Sequence, residues 1–208
     1  MFQSAFVTGL YSGFMLILAI GSQNAFVLRQ GLKRLHVLPL VLFCATCDAI
    51  LIGAGVLGFG SLTGVFPGFP QLMLWLGAAF LFFYGASRFW AAWQGKGEMG
   101  QGQTRVTLGQ TLALAAAFTW LNPHVYIDTL ALMGAISLRF DAFDEKLAFF
   151  FGGSLASLVF FSALGFGAQF LSPLLSTPRA WRWLDTLIGL AMWGLAVKLL
   201  YDSKSWIA

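Results

Sequence analysis

The sequence predicts an all-α, polytopic membrane protein of about six transmembrane helices. Of its 208 residues, 59% are hydrophobic and only 10% are charged. The mean hydropathy of +0.80 is well above that of soluble domains of this size. The apolar residues also cluster in segments long enough to cross the hydrocarbon core of a bilayer. These segments are residues 4–26, 37–60, 71–93, 108–138, 147–171 and 184–201.

Composition argues against several other classes of protein. The net charge of +4 does not indicate nucleic-acid binding, because the basic residues lie in short loops between apolar segments, where they orient membrane helices. Met1–Gln3 has no basic region typical of a signal peptide, so the first segment is expected to be retained. No His, Cys and Asp cluster shows metal-ligand spacing, and neither a cofactor nor a metal is predicted.

The chain is predicted to be one transporter-like domain, residues 1–208, made of two inverted halves. A polar loop at 94–109, expected in the cytoplasm, separates repeat one (4–93) from repeat two (108–201). Two halves with an odd number of spans have opposite orientations in the membrane. Inverted repeats of this kind are typical of secondary transporters, and paired helix breaks mark their binding sites.

Two further features recur in both halves. The first segment is interrupted at 21–24 and the fourth at 122–124, and spaced glycines occur in the third and sixth segments. The glycines are Gly77 and Gly85 in the third segment, and Gly189 and Gly194 in the sixth. Glycine-lined helix faces also permit a homodimer.

The distribution of lysine and arginine predicts which loops face the cytoplasm. Eight basic residues lie on the side of loops one, three and five, against four on the other side. The eight are Arg29, Lys33, Arg34, Arg88, Lys96, Arg105, Arg179 and Arg182, and the four are Arg139, Lys146, Lys198 and Lys204. The excess places the first group in the cytoplasm, so both termini face outward if all six segments cross.

The fourth segment is too long for one straight helix. Leu108–Leu138 spans about 31 residues, whereas about 20 suffice to cross a bilayer. Asn122 followed by Pro123 indicates a helix restart, with asparagine as the N-cap and proline in the first helical position. We therefore expect a broken helix with a binding site at the break.

The first segment carries a second candidate break. Gly21 can end a helix in the left-handed conformation, and Ser22 can cap the helix that follows. Gln23 and Asn24 add amide groups at membrane depth, and such a break should line a cavity enclosed by protein. The alternative is an ordinary helix end at the cytoplasmic interface, because Arg29 follows closely.

Two aspartates lie within apolar segments. Placing a carboxylate such as that of Asp48 at the bilayer centre costs about 2.5–3.5 kcal/mol, so a functional role is the default expectation. Small residues at intervals of four, Ala45, Ala49 and Gly53, predict that this helix packs closely and presents Asp48 to the interior. The alternative is a structural aspartate hydrogen-bonded to a neighbouring helix.

Asp128 follows Pro123 by five residues, about one and a half turns into the restarted helix. A substrate carboxylate could bind the helix N-terminus at Asn122 and Pro123 while Asp48 or Asp128 binds its cationic end. A zwitterionic or cationic amino acid fits this arrangement. The alternative for Asp128 is an ion pair with a basic side chain at the membrane surface.

Other polar and aromatic residues near the breaks are weaker candidates. His124 can shuttle a proton, although a histidine in a first helical turn is more often a satisfied polar residue. Trp120 and Tyr126 are interpreted mainly as packing or interfacial aromatics. Cys44 and Cys47 lie three residues apart on one apolar segment, where buried thiols are usually inert.

These residues together resemble the lysine exporter (LysE) family, in particular its arginine exporter branch. The resemblance covers nearly the whole chain and rests on two breaks and two intramembrane aspartates in this order. The residues concerned are Gly21-Ser22-Gln23-Asn24-Ala25-Phe26-Val27, Asp48, Trp120-Leu121-Asn122-Pro123-His124-Val125-Tyr126 and Asp128. The family's first break usually reads Gly-Pro-Gln-Asn, and here Ser22 replaces the proline.

The resemblance implies export of arginine, lysine or canavanine across the bacterial inner membrane by a multi-pass protein that is not an enzyme. Asp48 and Asp128 would be the essential carboxylates. The residues shaping the site would be Gly21, Gln23, Asn24, Asn122 and Pro123. Proton exchange by alternating access is the expected mechanism, because a buried carboxylate can hold either a proton or a cation.

Three alternative functions follow from the same residues. An exporter of neutral amino acids or another small polar solute would need fewer fixed anions than two aspartates. A membrane thiol oxidoreductase would need cysteines on separate helices, unlike Cys44 and Cys47. A non-catalytic membrane assembly factor would not depend on either aspartate.

Overall fold

The computed structural model describes residues 2–18, 21–58, 69–94, 106–175 and 177–207, and these residues contain helices and no β-strand. The helices of the first half are α1 (Phe2–Ile17), α2 (Ser22–Lys33), α3 (Val37–Val56) and α4 (Phe69–Gln94). Those of the second half are α5 (Leu108–Trp120), α6 (Pro123–Val125), a π-helix (Tyr126–Leu132), α7 (Met133–Ser137), α8 (Phe143–Leu171), a 3-10 helix (Ser172–Leu175) and α9 (Pro178–Ile207).

Several of these helices are suited to a membrane. By length and hydropathy, α3, α8 and residues Pro178–Tyr201 of α9 can each cross a bilayer. The pair α1 and α2, bent by 83°, adds a fourth if both parts belong to one span. Large apolar side chains such as Phe83 and Phe170 face away from the helix bundle, where lipid would surround them.

The two halves pack in a reciprocal way. The first broken segment, α1 and α2, packs mainly on α8 of the second half. The second broken segment, through α5, the π-helix and α7, packs on α3 of the first half. The remaining pairs, α3 with α8 and α4 with α9, also join one half to the other.

Glycines permit these close contacts. A Cβ atom on Gly9 of α1 would collide with the carbonyl oxygen of Phe149, and one on Gly152 of α8 with that of Phe6. Between α4 and α9, a Cβ atom on Gly85 would lie 2.5 Å from the Trp193 ring. Small residues let helix backbones approach each other in this way.

The predicted glycine faces therefore serve packing within one chain. Gly77 of α4 lies against the carbonyl of Leu121 at the second break, and Gly189 of α9 lies against the ring of Phe89. A Cβ atom on Gly194 would meet no described atom within 4 Å. Association of two copies stays a prediction of the sequence.

Between the predicted segments 4–26 and 37–60, the sequence leaves a basic loop at 27–36, and this prediction is wrong because α2 continues to Lys33. Arg29 was counted among the loop residues that orient membrane helices, but it is 4% exposed and forms an ion pair inside the bundle. Arg34 and His36, with φ values of 54° and 51°, form the short connection to α3. Most of the predicted loops at 61–70 and 94–109 lies outside the described residues.

Candidate functional site

The second break has the predicted N-cap. Asn122 has extended backbone angles, its side-chain oxygen accepts a hydrogen bond from the His124 N–H at 3.2 Å, and Pro123 is the first residue of α6. The Tyr126 hydroxyl donates to the Trp120 carbonyl at 2.8 Å. This bond satisfies a backbone group that the interruption frees, so Tyr126 supports the break.

The restarted helix is not a regular α-helix. After the three residues of α6, the chain forms a π-helix, and Asp128 is its third residue. The sequence interpretation placed Asp128 on an ordinary α-helical turn, which is wrong. The π conformation is rare and is frequently found at functional sites.

The first break is present, but its geometry differs from the prediction. Gly21 has φ −112° and ψ 165°, so it is the extended N-cap of α2 and not a left-handed end of α1. Ser22 is the first residue of α2 and not its cap. The Asn24 side-chain amide donates to the Ile17 carbonyl at 2.9 Å and thereby joins the end of α1 to the start of α2.

A cavity of about 200 Å³ lies between the two breaks. At about 30 Å³ per water, its volume equals that of roughly seven waters, enough for one small solute. Most of the predicted site residues line it, from both halves of the chain. They are Gly21, Ser22, Gln23, Asn24, Asp48, Asn122, His124 and Asp128. Two others, Pro123 and Tyr126, are not among the described lining residues.

The cavity contains both predicted carboxylates. Asp48 on α3 is 9% exposed and accepts a hydrogen bond from the Ser157 hydroxyl of α8 at 2.7 Å. The prediction that α3 presents Asp48 to the bundle interior is therefore confirmed. Asp128 is half-buried and reaches the same cavity from the π-helix. Two carboxylates in so small a space favour a cationic ligand.

Sequence reasoning missed three polar residues of the cavity, which are Thr129, Ser157 and Lys198. Ser157 lies in a long apolar segment and gives no signal of its own. Lys198 lines the cavity from α9, although the sequence interpretation counted it only as a charge that orients a helix. Lys198 follows Leu195, another lining residue, by three positions, so both lie on one face of α9, but nothing in the sequence marks that face as lining the cavity.

An aromatic cluster lies one turn further along α2 than the cavity lining. Along α2, Gln23 lines the cavity, Phe26 belongs to the aromatic cluster and Arg29 lies beyond it, at intervals of three residues on one face. The rings of the cluster have centroids 4.8 to 6.3 Å apart. They belong to Phe26, Phe80, Tyr84 and Phe118.

Beyond the aromatic cluster lies an ion cluster that the sequence analysis did not foresee. The Arg29 Nε atom lies 3.1 Å from the Asp185 carboxylate, and the Arg88 Nη1 atom lies 3.6 Å from the same oxygen. The side chains of Arg29 and Asp185 are 5% and 6% exposed. The cluster connects α2, α4 and α9 at the end of the bundle that the sequence predicts to be cytoplasmic.

The structure offers little support for metal or redox chemistry. Within the described ranges, no three His, Cys, Asp or Glu side chains are close enough together to hold a metal ion. Cys44 and Cys47 are buried, free thiols on α3. The Gln23 side chain lies beside the Cys44 thiol.

Two broken helices around a small polar cavity, within a bundle of long apolar helices, define a membrane transport protein. The profile of the LysE type translocator family matches residues 14–203, and the chain belongs to this family. It is therefore a multi-pass inner-membrane protein and not an enzyme. The family match decides against the oxidoreductase and the assembly factor.

Three relatives illustrate the similarity. A putative amino-acid transporter, YggA, of Aeromonas salmonicida is 43% identical over 92% of this chain and 93% of its own length. A putative amino-acid transporter of Mycobacterium tuberculosis is 41% identical over 90% of this chain and 92% of its own length. The arginine exporter protein ArgO of Escherichia coli is 36% identical over 96% of this chain and 94% of its own length. No solved structure matches the chain.

Proposed function

We propose that this chain exports basic amino acids, with arginine as the main substrate and lysine or canavanine as further ones. The observation that carries the proposal is that Asp48 and Asp128 line the same cavity of about 200 Å³. The similarity to an arginine exporter over most of both chains supports the same substrate.

The charges lining the cavity are complementary to such a substrate. Asp48 and Asp128 supply two negative charges and Lys198 one positive charge. These charges sum to one negative charge, and an arginine or lysine zwitterion, with two positive charges and one negative charge, sums to one positive charge. A neutral amino acid would leave one carboxylate without a cation, which makes neutral solutes the second candidate.

Proton exchange is the coupling that we infer. Moving one positive charge outward against an inside-negative potential costs about 2.3 kcal/mol per 100 mV, and an inward proton removes this electrical cost. Burial disfavours the charged form of a carboxylate once its cationic partner has gone. Asp48 or Asp128 would therefore take up a proton when the substrate leaves. The protein would thus work as an antiporter.

Alternating access would open the cavity to each side in turn. The aromatic and ion clusters, which lie further along α2 than the cavity lining, would form the closed side. The reciprocal packing of the two halves supports inverted repeats, which move against each other in many transporters. A six-span arrangement with outward termini also requires α4, at 26 residues, to cross the membrane.

A growth assay in bacteria that lack their own exporters tests the substrate class. We expect expression of the chain to relieve growth inhibition by canavanine and by excess arginine or lysine, and to give no relief from excess threonine or leucine. The Asp141→Asn variant, with an exposed carboxylate outside the cavity, serves as a control that keeps activity. Relief confined to threonine or leucine would establish the neutral alternative and contradict the proposal.

A further inference from the structure

The N-terminus of α2 faces the cavity. This helix has 12 residues, and its N-cap Gly21 and first three residues all line the cavity. An α-helix leaves its first N–H groups without intrahelical acceptors, and the helix dipole makes this end positive. The N-cap residue, Gly21, has no side chain that could cap this end. The helix end therefore presents donors to a ligand with negative charge.

Gln23 supplies a second, independent indication of an acceptor in the cavity. Gln23 is only 8% exposed and lines the cavity. In the described part of the chain, its Nε2 atom has no partner of good hydrogen-bond geometry, and the Cys44 sulfur beside it is only a weak acceptor. Leaving a buried amide donor unsatisfied is unfavourable. A ligand oxygen in the cavity could accept the hydrogen bond that the Gln23 Nε2 group is able to donate.

The second break is a poorer site for an anion. The sequence analysis placed the substrate carboxylate at the helix N-terminus formed by Asn122 and Pro123. There the Asn122 side chain already accepts the His124 N–H, and α6 has only three residues before the π-helix begins. An anion at this end would compete with the N-cap for the same donor.

We propose that the N-terminus of α2, together with the Gln23 Nε2 group, binds the α-carboxylate of the exported amino acid. In this orientation, the two cationic groups of the substrate lie near the carboxylates of Asp48 and Asp128. Gln23 is beside Cys44, which is one turn of α3, about 6 Å, from Asp48. The α-ammonium group pairs with Asp48, and the side-chain cation pairs with Asp128. This assignment rests on the proposed function.

Binding of arginine and agmatine to the full-length protein in lipid nanodiscs tests the assignment. Agmatine has the guanidinium and amine groups of arginine but lacks the carboxylate. We expect the wild type to bind arginine at least about 10-fold more tightly than agmatine, as charge-assisted hydrogen bonds would give. Gln23→Leu should weaken arginine binding about 10-fold and leave agmatine binding within about 2-fold.

Two further variants sharpen the comparison. Gln23→Glu should weaken arginine binding more than Gln23→Leu does and should not weaken agmatine binding, because the added carboxylate repels only the substrate carboxylate. Gln30→Leu is the matched control, since Gln30 is a buried glutamine of the same helix outside the cavity lining. It should leave the ratio of the two affinities unchanged. The melting temperature of each variant shows whether it is folded.

The outcomes separate this assignment from the proposed function. If Gln23→Leu weakens both ligands equally, or if the wild type binds arginine and agmatine equally, the carboxylate is not bound at α2 and the assignment is overturned. If Gln23→Leu does not fold, Gln23→Glu provides the same comparison, and equal weakening of both ligands by that variant overturns the assignment. If the wild type binds neither arginine nor lysine, the proposed function itself fails.

Discussion

Asp48→Asn is expected to reduce the rate of arginine transport by at least about 30-fold, because removing one partner of a buried charge pair costs about 2–5 kcal/mol. The asparagine keeps the shape of the side chain and a hydrogen bond with Ser157 but can hold neither a cation nor an exchangeable proton. Asp128→Asn should act in the same direction. The measurement is the initial rate of labelled arginine transport in proteoliposomes.

Two variants serve as controls for this result. Ser157→Ala removes only the 2.7 Å hydrogen bond to Asp48 and should reduce the rate by about 10-fold or less, the effect of one hydrogen bond. Asp141→Asn should keep the wild-type rate. If both Asp48→Asn and Asp128→Asn transported arginine at the wild-type rate, the carboxylates would have no part in transport.

Asp185→Asn is expected to have the largest effect on stability. Its carboxylate pairs with Arg29 and Arg88 inside the bundle, and removing one partner of a buried ion pair costs about 3–5 kcal/mol. The cost arises because the buried guanidinium of Arg29 and the partly buried guanidinium of Arg88 lose the same anion. The melting temperature of the purified protein should fall markedly, and Asp141→Asn should leave it unchanged.

A double-mutant cycle isolates the ion pair. Arg29→Gln in the Asp185→Asn background should recover part of the lost stability, since the buried cation leaves with its partner. Strictly additive losses, or a melting temperature of Asp185→Asn equal to that of the wild type, would show that the ion pair contributes nothing to the stability of the protein.

Local sequence signals predicted several features correctly. Asn122 and Pro123 indicate a helix start because an N-cap side chain and a proline have strong positional preferences. Asp48 was expected to face the interior because a carboxylate within an apolar segment is unfavourable in lipid, and the structure places it on the cavity.

Features that depend on distant residues could not be read from the sequence. Arg29 resembled a loop residue because its partner, Asp185, is 156 positions away along the chain. The predicted loop at 27–36 was wrong for the same reason. No local residue pattern marks the π-helix around Asp128. The π-helix packs on α3, and such a contact between distant segments cannot be read from the local sequence. Lys198 joins the cavity only because α9 packs beside the first break.

Proton movement in proteoliposomes containing the purified wild-type chain measures export and its coupling in one assay. With arginine on one side and a pH-sensitive dye inside, the proposed exchange predicts proton flow opposite to arginine flow, no signal with leucine, and little signal with Asp48→Asn. Arginine transport without opposite proton movement would contradict the exchange mechanism. Equal transport of leucine and arginine would contradict the assignment of the cavity to basic amino acids.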